Sequence, residues 1–165
     1  MSRISMVRVR LAESAQDRKV CLRLRWTVFV EEQGVPPSLE HDEYDEPSAA
    51  TVHALAELES PMNAGIDGDP ATMPAGTGRF IWAAPGVAKI QRMAVAVAAR
   101  GQGVGTALLR FLEDEARRQG ATRFTLGAQL TARGFYQRAN YREVGDVFED
   151  AGISHIAMER DALSG

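Results

Sequence analysis

Arg92-Met-Ala-Val-Ala-Val-Ala-Ala-Arg100-Gly-Gln-Gly-Val-Gly-Thr-Ala-Leu-Leu-Arg-Phe-Leu-Glu-Asp-Glu-Ala116 is the stretch whose reading decides the fold. It reads as a strand, a glycine-punctuated turn and a helix that begins near Val104. Leu108, Leu109, Phe111, Leu112 and Ala116 share one broad apolar face at helical spacing. The polar side offers the i,i+4 pairs Glu113–Arg117 and Asp114–Arg118, and Gly120 is a natural stop. Neither Gly103 nor Val104 has a side-chain oxygen to cap the first N–H groups, and no acid precedes Glu113. Four backbone donors and the positive end of the dipole are left open. Gly101, Gly103 and Gly105 let a ligand reach the backbone, and Arg100 adds positive charge. These features predict an anion, most simply a phosphate or pyrophosphate.

The spacing excludes two common phosphate binders. A dinucleotide fingerprint needs Gly or Ala where Thr106 stands and an acid about 20 residues on, and a Walker loop needs Gly-Lys-Ser/Thr. Arg100-x-x-Gly103-x-Gly105 instead resembles the Q/R-x-x-G-x-G/A signature of the GNAT superfamily of N-acetyltransferases. The resemblance implies that Arg100, Gly101, Gln102, Gly103, Val104, Gly105 and Thr106 hold the pyrophosphate of acetyl-coenzyme A.

The strand before the turn carries a second signal. Ile90 cannot share a face with Met93, Val95 and Val97 under strict two-residue alternation. One extra residue near Gln91–Arg92 restores the phase, which predicts a β-bulge. GNAT proteins are similar here: the backbone just after such a bulge pairs with the pantetheine arm. The resemblance adds Met93, Ala94 and Val95 to the coenzyme site, with their amides orienting the thioester carbonyl.

Gln129-Leu-Thr-Ala132-Arg-Gly-Phe135-Tyr136-Gln-Arg-Ala-Asn140-Tyr141 resembles the family segment N-x-x-A-x-x-F/L-Y-x-x-x-G-F/Y. Gln129 stands for the usual Asn. Asn140 stands for the usual Gly, a change that physics permits because Asn tolerates the left-handed conformation at a helix end. The resemblance places Tyr136 beside the thioester sulfur, where it would protonate the departing thiolate. The first half of the chain narrows the likeness to the ElaA-like branch. Its marks are Arg25-x-x-Val28-Phe29-Val30-Glu31-Glu32-Gln33-Gly34, Glu40-x-Asp42-x-x-Asp45, Gly78-Arg79, Lys89-x-x-Arg92-Met93, Gln129 and His155.

The wider pattern predicts the order β-α-β-β-β-α-β-α-β-β. Strands are read at 4–11, 51–58, 76–84, 87–97, 122–127, 141–148 and 153–160, with helices at 13–30, 104–118 and 130–139. The strands at 87–97 and 122–127 flank a crossover helix and are expected to be parallel, and sequential neighbours antiparallel. The fold class is α+β, a GNAT-like α/β/α sandwich around a mixed, mostly antiparallel sheet of six to seven strands. The whole chain, 1–165, reads as one domain, with 60–74 as a surface loop rich in proline and glycine.

The 165 residues carry a formal charge of −3, with 45% hydrophobic and 25% charged residues, so no polyanion-binding surface is indicated. No run approaches the ~18 apolar residues of a membrane span. Cys21 is the single cysteine, which excludes an internal disulfide. The expected partners are acetyl-coenzyme A and an amine, without nucleic acid or membrane, in a cytoplasmic monomer or homodimer.

The acceptor side admits several readings. Arg25, Phe29, Glu40, Asp42, Asp45 and Arg79 are the candidate substrate residues. The acids either receive a cationic amine, pair with Arg25 and Arg79 to fix a loop over the site, or form a solvated loop. No metal is expected, because His41 with Asp42 and Asp45 lacks a second histidine. Glu32 and His155 are candidates for the base, with Glu31 and His53 behind them. The reaction expected is direct attack of an amine on the thioester, since the lone cysteine is poorly placed for a covalent step. Two rivals are a non-catalytic acyl-coenzyme A-binding module and an acyl-homoserine-lactone synthase. The synthases share the pattern Arg25, Val28, Phe29, Glu40, Asp42, Asp45 but are longer and lack the open glycine turn.

Overall fold

The computed structural model describes residues 6–64 and 70–163. Seven strands form one sheet in the order β1-β2-β3-β4-β5-β7-β6. They are β1 (Met6–Leu11), β2 (Val52–Ala64), β3 (Pro70–Ala84), β4 (Val87–Val95), β5 (Arg123–Gln129), β6 (Arg142–Asp150) and β7 (Ile153–Asp161). Only β4 and β5 run parallel; the other pairs are antiparallel. The helices are α1 (Ala15–Arg25), α2 (Pro37–Glu40), α3 (Val104–Arg118) and α4 (Arg133–Arg138).

Strand alternation sorts the core into two layers. On β2, Ala54, Ala56 and Leu58 face the cluster built on Leu108, Leu109 and Leu112 of α3. Leu55 points the other way and packs with Cys21 of α1. The sheet is therefore covered on both sides, as an α/β/α sandwich requires. Glycine lets α3 lie close: a Cβ at Gly76 would sit 3.0 Å from both Leu108 Cδ1 and Val104 Cγ1.

The bulge lies where the phase predicts it. Thr77 pairs with Ala94 but Arg79 pairs with Gln91, so β4 carries one more residue than β3 between these pairs. Arg92 absorbs it with φ 56, a conformation costly for a residue with a side chain. Gly78 accommodates the result, since a Cβ there would come within 2.5 Å of Met93 Sδ.

Four expectations are corrected. The helix read over 13–30 starts at Ala15, where the Ser14 hydroxyl accepts from Asp17 N–H at 3.0 Å. It then widens over Trp26–Glu32 into i→i+5 geometry, with Gln33 N–H bonded to Val28 O at 3.1 Å. β-branched Thr27, Val28 and Val30 crowd an α-helical turn, and the wider winding relieves them. The stretch 60–74 is not a loop throughout. Strand extends over 60–64 and 70–74, because backbone pairing between β2 and β3 outweighs the prolines, while 65–69 lie outside the described residues. The strand read over 87–97 stops at Val95, and Val97–Ala99 form a tight 3₁₀ turn that redirects the chain into the glycine loop. On α3 the ion pairs are Asp114–Arg117 and Glu115–Arg118, at i,i+3. Glu113 is only 3% exposed and accepts from Tyr141 Oη at 2.7 Å, so the turn of the helix carries it into the core instead of toward Arg117.

Both helix ends flagged in the sequence close as expected. Gly120, φ 103, donates to Arg117 O, and Ala121 donates to Ala116 O. Asn140, φ 72, donates to Gln137 O, and Tyr141 donates to Tyr136 O. These paired bonds satisfy the orphan carbonyls of α3 and α4.

A forked sheet and its candidate active site

Parallel pairing between β4 and β5 covers only Val87–Ile90 against Arg123–Leu126. Beyond that point the two strands part, since the bulge at Arg92 turns β4 while β5 runs on to Gln129 beside β7. The fork opens into a cavity of about 750 Å³, lined by Gln91–Val95 on one prong and by Gly127 and Gln129 on the other. Tyr136, Phe29, Glu32, Glu40, Arg100 and His155 also line it.

The end of β4 leads into α3, where Gly103 holds φ 81 and no side chain caps the helix. Among the described residues, the amides from Gln102 to Thr106 have no hydrogen-bond acceptor. The first bond of this turn is Ala107 N–H to Gly103 O at 3.0 Å. A strand edge without a partner and a bare helix N-terminus thus follow one another along the chain. That succession suits a long ligand with a polar, bonding arm and an anionic end.

Residues 72–162 match the acetyltransferase (GNAT) domain family, more than half of the chain. The chain belongs to this family. It is 34% identical over 152 residues to YjcF of Bacillus subtilis, described as an uncharacterized N-acetyltransferase, covering 92% of this chain and 97% of that protein. A crystal structure of a candidate N-acetyltransferase from Lactobacillus plantarum superposes with a TM-score of 0.81 at 27% identity, covering 95% and 99% of the two chains. Escherichia coli ElaA superposes with a TM-score of 0.74 at 25% identity, covering 94% and 99%. The GNAT fold and the ElaA likeness read from the sequence are therefore both found.

Within this GNAT chain, Tyr136 is held from three sides. Its carbonyl closes the end of α4, and its ring meets Phe135 edge-on at 5.0 Å and Tyr141 at 5.9 Å. Tyr141 in turn is anchored by Glu113, whose own pKa burial raises. Burial pushes the Tyr136 phenol up to about 12, so it stays protonated at neutral pH. Tyr136 lines the cavity. Phe135 lies beneath Gly105, where a Cβ would approach its Cζ to 3.4 Å, which ties α4 to the start of α3.

The two prongs are bridged at the mouth. Arg100 grips Glu32 with two bonds of 2.6 and 2.7 Å and also donates to Val95 O at 3.1 Å. Its charge is thus shared with Glu32 and not left free for an anion. The same guanidinium holds the Glu32 carboxylate below its usual pKa, which makes it a poorer proton acceptor. Gln129 reaches across to Gln33, Nε2 to Oε1 at 2.8 Å. Gly101–Thr106 do not line the cavity itself and lie past its Arg100 end.

The acids of the α2 region form a buried ionic lattice. Arg25, 1% exposed, donates to Glu40 at 2.6 Å and to both oxygens of Asp45 at 2.5 and 2.9 Å. Arg79, also 1% exposed, donates to Asp42 at 2.8 and 2.6 Å and to Asp45 at 2.7 Å. Arg92 adds a 3.2 Å bond to Asp42. Three guanidinium groups meet three carboxylates. Burial alone would raise the Asp45 pKa, but Arg25 and Arg79 hold it well below the usual carboxylate range. Of the six candidate substrate residues, only Phe29 and Glu40 line the cavity; Arg25, Asp42, Asp45 and Arg79 stand behind it. This is the pairing alternative among the sequence readings, and it rests on arginines far apart in the chain.

His53 sits on β2 outside the cavity, and burial lowers its pKa to about 4, so it is a neutral structural imidazole. Glu31 is exposed and outside the cavity. His155 does line it, stacked on Phe148 at 5.7 Å. Its Nδ1 lies 2.7 Å from Ile153 O. A carbonyl only accepts, so Nδ1 donates here, and in the neutral tautomer the lone pair belongs to Nε2. The sequence reading missed the β6–β7 hairpin as a wall of the site. Ala151 (φ 51) and Gly152 (φ 78) make its two-residue turn, a signature hidden because Ala seldom adopts φ > 0.

Proposed function

We propose that the chain is an acyl-coenzyme A-dependent N-acyltransferase that moves acetyl from acetyl-coenzyme A to an amine within a ternary complex. The observation that carries this reading is the fork between β4 and β5, with the uncapped α3 N-terminus past one end and Tyr136 facing it. The pantetheine arm would pair with the free edge of Met93–Val95, and the pyrophosphate would take the amides of Gln102–Thr106. The strand amides would also stabilise the oxyanion that develops on the thioester carbonyl. His155 Nε2 would take the proton from the attacking amine. Tyr136, kept protonated by burial, would return a proton to the sulfur as the C–S bond breaks. The lattice of Arg25, Arg79 and the three acids would hold α2 against the cavity as a scaffold.

Calorimetry with acetyl-coenzyme A and thiol release with an amine panel test the reading together. Tyr136→Phe retains the ring, so donor affinity is expected to hold. The same variant is expected to lose about 10²–10⁴ in kcat, nearer the low end because thiolate already leaves well. Unchanged kcat would reduce Tyr136 to a packing residue. Binding without turnover on any amine would favour the non-catalytic module.

A further inference from the structure

We infer that the amine accepted by this site also carries a carboxylate, and that Lys89 is the residue that selects for it. This rests on the acyltransferase reading and names its substrate class. The three acids in the sequence suggest a pocket for a cation, but the lattice leaves none of them free. Glu40 is held by Arg25, Asp42 by Arg79 and Arg92, and Asp45 by Arg25 and Arg79. Glu32 is held by Arg100. The acids nearest the reacting centre are thus neutralised in place.

Lys89 is different. It lines the cavity, is half-buried, and has no ion pair or side-chain hydrogen bond among the described residues. On β4 it alternates with core-facing Ala88 and Ile90, so its stem leaves the opposite face of the sheet, the face that carries Gln91. Its register partners are Ile81 and Thr125, at the closed end of the fork where β4 and β5 still pair. The coenzyme phosphates do not explain it. Lys89 lies six residues back along β4 from Val95, roughly 20 Å of strand, and the uncapped helix follows later still. An ammonium at a cavity without a counter-charge offers an anionic ligand a charge-assisted bond.

The test compares L-amino acids with their carboxamides as acceptors, by thiol release from acetyl-coenzyme A. The wild type is expected to favour the acids by about 10–100-fold in kcat/KM, the worth of one charge-assisted bond. Lys89→Met keeps the aliphatic stem and is expected to collapse that ratio toward one, chiefly through acceptor KM. Lys89→Arg is expected to restore part of it. Donor affinity by calorimetry checks that the variants are folded and loaded. A wild type that takes carboxamides as well as acids, or takes neither, overturns the inference while leaving measured donor binding intact. So does a ratio that survives in Lys89→Met. Failure of the wild type to bind acetyl-coenzyme A brings down both this inference and the acyltransferase reading.

Discussion

Two regions flanking the cavity solve opposite electrostatic problems. Past its Arg100 end, the backbone from Gln102 to Thr106 is left unsatisfied among the described residues, with Gly103 in the left-handed region and no capping oxygen. Around α2, Arg25, Arg79 and Arg92 are matched by Glu40, Asp42 and Asp45. One region keeps its bonding capacity for a ligand; the other spends it inside the protein. Exposed amides cost little in water, whereas buried charges must be paired or leave a large desolvation penalty. A count of charged residues along the chain therefore does not tell which charges are already spent inside the protein.

The largest expected effect comes from breaking the paired region. Asp45→Ala leaves Arg25 and Arg79 short of a buried partner and is expected to cost about 3–5 kcal/mol of unfolding free energy in urea. A loss below about 1 kcal/mol would show that water reaches the lattice. The open region is expected to respond in binding and not in stability. Gly103→Asp puts a negative charge on the helix N-terminus, at a φ that Asp tolerates better than most residues. It is expected to weaken acetyl-coenzyme A by roughly 10²-fold with a small change in Tm. Equal affinity in the folded variant would remove the pyrophosphate from that turn.

Acid sharpens the contrast further. His53, next to the lattice on β2, has a folded pKa of about 4 because burial disfavours its charged form. Between the ordinary histidine value and pH 4, the unfolded chain binds a proton that the folded chain refuses. Its contribution to stability is complete above the unfolded pKa and is lost as pH falls through that window. After allowance for solvent reaching part of the ring, the expected loss is about 1–2 kcal/mol. Asp42 and Asp45, both held low by arginines against the cost of burial, continue the decline at lower pH. Urea midpoints from pH 7 to pH 4 are expected to fall in the wild type and to fall less in His53→Leu. Parallel curves would place the proton elsewhere.

Local rules made part of this protein legible from its sequence. The phase break between Ile90 and Met93 located the bulge, the uncapped glycines located the open helix end, and Asn140 located the stop that holds Tyr136. Each depends on a few consecutive residues, and backbone geometry acts over that range. The rest required distant segments to meet. Arg25 finds Asp45 across 20 positions, Arg79 finds Asp42 across 37, and Arg100 finds Glu32 across 68. The long arms of β2 and β3 also overrode the prolines between 60 and 74, since ladder pairing is settled by the partner strand and not by local propensity. Sequence by itself determined the order of the strands and of α1, α3 and α4, the parallel crossover and the bare turn at α3, but not the short α2, because period, glycine and capping chemistry are local. Only the tertiary structure decided which charges are spent and which remain. Arg100 and the three acids are consumed, while Lys89 is left facing the cavity, since neutralisation depends on who is packed beside whom.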